Sequence, residues 1–105
     1  MTKAKREKLI LEFNQYLKNK GYEFEMEKPF KDIMDTKRRF RADYFIPPNF
    51  IIEINGGQYI NGRHNRGGNG YENDLTKINI AAQNLFFVYQ FTYEMLERED
   101  YKDFM

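Results

Sequence analysis

Two acidic residues stand where apolar strand residues are expected. Glu53 follows Ile51 and Ile52 and precedes Ile54, and Asp43 lies in the run Arg39-Phe40-Arg41-Ala42-Asp43-Tyr44-Phe45-Ile46. Aspartate is depleted in strands, and a carboxylate buried among isoleucines without a partner is costly. Side chains alternate along a strand, so Glu53 and Asn55 share one face and Ile52 and Ile54 the other. Pro47-Pro48-Asn49 reads as a turn, which makes a hairpin of the two segments and sets Asp43 beside Glu53. Two like charges brought that close raise each other's energy unless something positive lies between them. A divalent cation meets that need, because hard ions such as Mg²⁺ take oxygen ligands and keep waters for chemistry. The competing reading is a solvated sheet face on which Arg39 or Arg41 pairs with the acids. It suits Asp43 alone better than it suits the pair.

The elements that would position these carboxylates follow from periodicity. Residues 4–20 form an amphipathic helix, with Leu9, Ile10, Phe13, Tyr16 and Leu17 at three- and four-residue spacing and Gly21 where a cap belongs. Tyr22–Met26 alternates as a half-buried strand does, and Pro29 closes it. Residues 39–46 and 50–55 are the hairpin strands. The stretch 56–70 holds six of the seven glycines, and a loop of that length is usually functional. Residues 71–84 return to helix with Leu75, Ile78 and Ala82 on one face. Residues 86–91 form a final buried strand and 94–104 a terminal helix. The order α-β-β-β-α-β-α, with about four strands flanked by helices, gives an α/β (α+β) fold in one domain, 1–105.

With 105 residues, 41% hydrophobic and 17% aromatic, a packed globule is expected rather than disorder. Cysteine is absent, which excludes disulfides and thiolate metal sites. No apolar run is long enough for a secretion signal or a membrane span, so a cytoplasmic location in a bacterial or phage-infected cell is expected. The net charge of +1 conceals an asymmetry: residues 1–42 carry 12 basic and 7 acidic side chains, and 43–105 carry 5 and 9. Such a chain draws phosphates to one part and gathers carboxylates around a cation in another, although a mixed solvated surface has the same composition.

The spacing Arg41-Ala42-Asp43, then Glu53-Ile54-Asn55, resembles the core of PD-(D/E)XK nucleases. The later run Gly62-Arg63-His64-Asn65-Arg66-Gly67, Gly70-Tyr71-Glu72-Asn73-Asp74 and Lys77-Ile78-Asn79 is similar to small phage and bacterial members close to the VRR-NUC and Holliday-junction-resolvase-like groups. The resemblance covers residues 38–93. It implies a restriction-endonuclease-like core and a metal-dependent endonuclease acting on DNA, with branched forms among the expected substrates. It implies Mg²⁺ or Mn²⁺ held by Asp43, Glu53 and the carbonyl of Ile54. Those nucleases carry a lysine two residues after the glutamate, where this chain has Asn55. Some supply it from the next helix, and Lys77 is the matching residue. A glutamate of the first helix also approaches the metal in that family, which nominates Glu7, with Glu12 as the alternative.

Several of these residues have a plainer explanation. Lys77 also sits three residues after Asp74, a common exposed ion pair. His64, the only histidine, lies between Arg63 and Arg66 in a setting suited to phosphate contact rather than catalysis. Lys37, Arg38, Arg39 and Arg41 would follow backbone phosphates without reading sequence, or would merely aid solubility. No small-molecule cofactor is expected. Cutting two strands needs two sites, so a homodimer is expected, with apolar contact from the segments around Phe24, Phe30 and Phe45 or from Tyr101–Phe104. A non-catalytic nucleic-acid or protein binding module on the same fold is the alternative, and Asn55 is its main support.

Overall fold

The computed structural model describes residues 1–55 and 70–105, with the backbone of 59–60, 63–64 and 69. Helix α1 (Lys3–Asn19) starts at Thr2, whose hydroxyl accepts from the Lys5 amide. It ends at Gly21, φ +86°, with Gly21 N donating to Lys18 O and Tyr22 N to Leu17 O, each at 3.0 Å. This pair of bonds is a Schellman cap, and the left-handed residue it needs is a glycine here.

Strands β1 (Glu25–Pro29), β2 (Arg41–Ile46), β3 (Phe50–Ile54) and β6 (Phe87–Phe91) form one mixed sheet in the order β1-β2-β3-β6. The first three run antiparallel, and β6 lies parallel to β3. Strands β4 (Tyr59–Ile60) and β5 (Arg63–His64) pair separately. Helix α2 (Asn69–Gln83) crosses between β3 and β6, and α3 (Tyr93–Glu97) follows β6. This is the α+β order expected from the sequence. The parallel β3–β6 pair requires a crossover, and α2 supplies it. Among the described residues no helix is long and apolar enough to cross a membrane.

Alternation gives the sheet two faces. Tyr44, Ile46, Ile52 and Phe91 pack against Leu9, Phe13 and Leu17 of α1, with Leu96 and Tyr101 closing the edge. Phe45 and Ile51 pack on the other side with Phe30, Met34, Ala42 and Ala81.

Four local expectations are corrected. The first strand is Glu25–Pro29, not Tyr22–Met26, so Pro29 is its last residue rather than its stop. The inward face of α2 carries Lys77, Ile80 and Ala81, whereas Leu75 is 46% exposed and Ala82 is exposed. The small Ala81 lets the helix approach the sheet, which the bulkier Leu75 would not. The terminal helix is broken: α3 stops at Glu97, Glu99 takes a left-handed φ of 60°, and a 3₁₀ turn follows at Asp100–Asp103. Phe30, Phe45 and Tyr101 are core residues, so of the expected contact segments only Phe104, 59% exposed, presents a large open apolar surface.

Candidate metal and catalytic centre

The β2–β3 register places Tyr44 opposite Ile52, and one step further Asp43 comes opposite Glu53. There the strands stop exchanging main-chain bonds and use side chains instead. Asp43 N donates to Glu53 Oε2 at 2.9 Å, and Ile54 N donates to Asp43 Oδ2 at 2.7 Å. Each carboxylate thus satisfies the backbone of the opposite strand end. These crossed bonds use one oxygen of each acid.

The second oxygen of Glu53, Oε1, accepts from Lys77 Nζ of α2. Among the described residues Glu53 is the one charged residue that is buried, at 5% exposure. Lys77 also lies over the Phe30 ring, 5.7 Å from its centroid, so an aromatic wall closes one side of the ammonium. Burial pushes the Glu53 carboxyl above the usual carboxylate range, and the negative charge of Asp43 pushes it the same way. The Lys77 charge, its hydrogen bond and the Asp43 amide pull against that rise. The pairing of Lys77 with Asp74 considered from spacing gives way to one across the fold, because the helix face that meets the sheet carries Lys77.

The sequence-selected residues fall into separate places. Asp43, Glu53, Ile54 and Lys77 come together at the C-terminal end of β3. Glu7 does not join them through any hydrogen bond or ion pair: it is exposed on α1, which covers the opposite sheet face, and lines a groove with Lys3, Arg6, Ile10, Leu11 and Tyr93. Glu12 pairs with Lys8 at 3.9 Å. Neither Arg39 nor Arg41 forms an ion pair with Asp43 among the described residues, and Arg41 Nη1 donates instead to the Glu27 carbonyl at 3.2 Å. Lys37, Arg38, Arg39 and Arg41 are exposed. Arg66 lies outside the described residues, and of Arg63 and His64 only the strand they form is described.

Two participants were not selected from sequence. Gln90 stands opposite Glu53 on β6, and its Oε1 accepts from Asn55 Nδ2 at 2.6 Å. A polar residue in the otherwise apolar Phe87-Val88-Tyr89-Gln90-Phe91 was the available signal. Phe30, the wall beside Lys77, had none, because an aromatic in a connection looks like any core residue.

The donor chemistry suits a hard cation. Both acids offer oxygen, they adjoin on one face, and their mutual repulsion is a charge deficit that a dication would relieve. Among the described residues no group of three or more acidic, His or Cys side chains gathers, so protein ligands would number few and waters would complete the shell. The chain matches no protein-family model, no curated protein and no solved structure.

Proposed function

We propose that the protein is a divalent-metal-dependent endonuclease that hydrolyses DNA phosphodiester bonds, with branched DNA among its substrates. One observation carries this reading: a buried Glu53 interlocked with Asp43 and bonded to Lys77 at the open end of the sheet. Asp43 and Glu53 would hold Mg²⁺ or Mn²⁺, with the Ile54 carbonyl beside them at the strand end. A bound ion of this kind polarises a phosphate and lowers the pKa of a coordinated water. The crossed backbone bonds fix the two carboxylates before any ligand arrives, so little ordering remains to be done on binding. Lys77, held against Phe30, keeps an ammonium where it can orient a water or offset charge developing on phosphate oxygens.

The test is cleavage of four-way junction, flap and linear DNA with Mg²⁺ or Mn²⁺. Cleavage is expected, and Asp43→Ala should lower it by about three orders of magnitude, the scale of several kcal/mol of lost charge stabilisation. No cleavage of any substrate with either ion would overturn the reading.

A specific observation favours the second reading. The Asn55 amide, where the resembling nucleases have lysine, is committed to Gln90. On that reading the fold is a non-catalytic nucleic-acid or protein binding module, and calorimetric titration should then find DNA binding without Mg²⁺ or Mn²⁺ binding. For the proposed homodimer, sedimentation equilibrium alone and with junction DNA is the check, and a monomer in both would refute it. The exposed Leu85, Phe87 and Phe104 offer apolar surface for the contact.

A further inference from the structure

Lys31, Arg38, Arg39 and Arg41 line a pocket of about 260 Å³ whose other walls are Pro29 and Phe40. Four cations surround it and no carboxylate does. Elsewhere on the surface the basic side chains are matched: Lys5 with Glu97 at 2.8 Å, Lys28 with Glu25 at 3.0 Å, Arg98 with Asp100 at 2.8 Å and Lys102 with Glu99 at 3.0 Å. Among the described residues Lys31, Arg38 and Arg39 have no such partner, and Arg41 makes its one bond to a backbone carbonyl. Asp32 and Asp35, close in sequence, do not line the pocket. Like charges crowded this way repel one another, and an anion among them removes the repulsion.

The residue types narrow the anion. Three of the four cations are arginines, whose planar forks match phosphate oxygens two at a time. The location narrows it further. Arg41 lies two residues before Asp43 on β2, roughly 7 Å along the same strand face. Phe40 of the pocket wall meets Phe30 at 5.9 Å, and Phe30 is the ring beneath Lys77. The pocket and the carboxylate centre are therefore neighbours on one side of the molecule. An isolated small anion would need only the pocket, whereas a chain of phosphates would use both places and the adjoining Lys37.

We propose that this pocket binds the phosphodiester backbone of a nucleic acid and seats the strand beside Asp43 and Glu53. This goes beyond the cleavage reading, since phosphate capture needs neither a metal ion nor the two carboxylates.

The experiment is fluorescence anisotropy of a labelled DNA duplex against salt concentration, in chelator so that no metal-dependent cleavage occurs. Arg38→Gln/Arg39→Gln removes two exposed charges and leaves the core intact, and circular dichroism verifies its fold. Its affinity should fall on the order of tenfold, and its salt slope by about 0.9 for each phosphate that is no longer neutralised. Lys18→Gln/Lys20→Gln, an equal charge loss at the C-terminal end of α1, should change affinity by less than about twofold. Equal loss in both double variants would make the effect one of general charge and overturn the proposal. Unchanged affinity in the arginine variant, or binding of inorganic phosphate without binding of DNA, would overturn it as well. Binding in chelator and cleavage by Asp43→Ala are separate readouts, so failure of one reading leaves the other standing on its own data.

Discussion

On the face of the sheet covered by α1, Phe13 meets Tyr44, Phe91 and Tyr101 at ring separations of 5.3, 6.1 and 4.9 Å, all edge-on. On the face covered by α2, the comparable place beneath the helix holds the Glu53–Lys77 pair, with Asp43 alongside. The first face gains from area removed from water and from ring geometry. The second must offset the desolvation of two charges, and replacing such a pair by apolar side chains of similar size is often neutral or stabilising. A small domain has few places for a core, and this one gives up part of one face to charged groups. That arrangement makes sense where the charged groups have a task, and it assigns stability to the α1 side and chemistry to the α2 side.

The largest effect that can break this division is a truncation on the α1 face. Phe13 is fully buried, and Phe13→Ala is expected to cost about 3–5 kcal/mol of folding stability. Urea denaturation at several protein concentrations measures it. A loss below about 1 kcal/mol would mean that the aromatic face is not where the stability resides.

The next effect depends on pH and sharpens the account of the α2 face. Glu53 has a folded-state pKa above its ordinary 4.5, because burial and Asp43 together outweigh Lys77. Above the ordinary value the folded protein therefore binds more protons than the unfolded chain, so this residue's contribution is full below that value and is lost as pH rises through the raised one. Glu53→Gln should remove that slope and gain stability relative to wild type as pH rises. Lys77→Met should do the reverse: nearly neutral at acid pH, where Glu53 takes up a proton, and costing about 3 kcal/mol once Glu53 must ionise without its partner. Thermal denaturation in chelator from about pH 4 to pH 8 reads both curves. Parallel curves for the three proteins would show that Glu53 is not the titrating group.

The same contrast explains what the sequence made legible. The α1 stripe from Leu9 to Leu17, the Pro47–Pro48 turn and the acids at 43 and 53 were readable because each is a local pattern: period, turn chemistry, or a residue type out of place. The partnership of Asp43 with Glu53 followed from alternation plus one turn. The register of α2 was not readable, since Leu75 and Ile78 outweigh Ala81 on any apolar count, whereas close helix–sheet approach favours the alanine. The break at Glu99 was hidden because a glutamate in left-handed conformation carries no sequence signal. Gln90 and Phe30 reach the site through β6 pairing and a 3₁₀ turn (Phe30–Asp32), contacts between segments that spacing along the chain does not encode.

The smallest expected effect concerns Asn55, which shares the Glu53 side of β3 and separates the chemistry of the strand end from its architecture. Its main-chain N–H donates to Phe91 O at 2.7 Å, and its side chain to Gln90. The backbone bond survives any substitution except proline, so Asn55→Ala removes the side-chain bond alone. That bond is exposed and competes with water, which puts its worth at the low end of the range, about 0.5 kcal/mol. Asn55→Lys is the more informative change. It loses the same bond but brings a second ammonium to the end of the strand, where an opposite charge favours ionised Glu53 and lowers its pKa. The wild-type loss of stability with rising pH should then become shallower, although the stability at acid pH falls as it does in Asn55→Ala. Denaturation curves for the two variants across the same pH range separate the outcomes. Identical slopes would mean that position 55 does not address Glu53, and that the strand end is tuned by Lys77 alone.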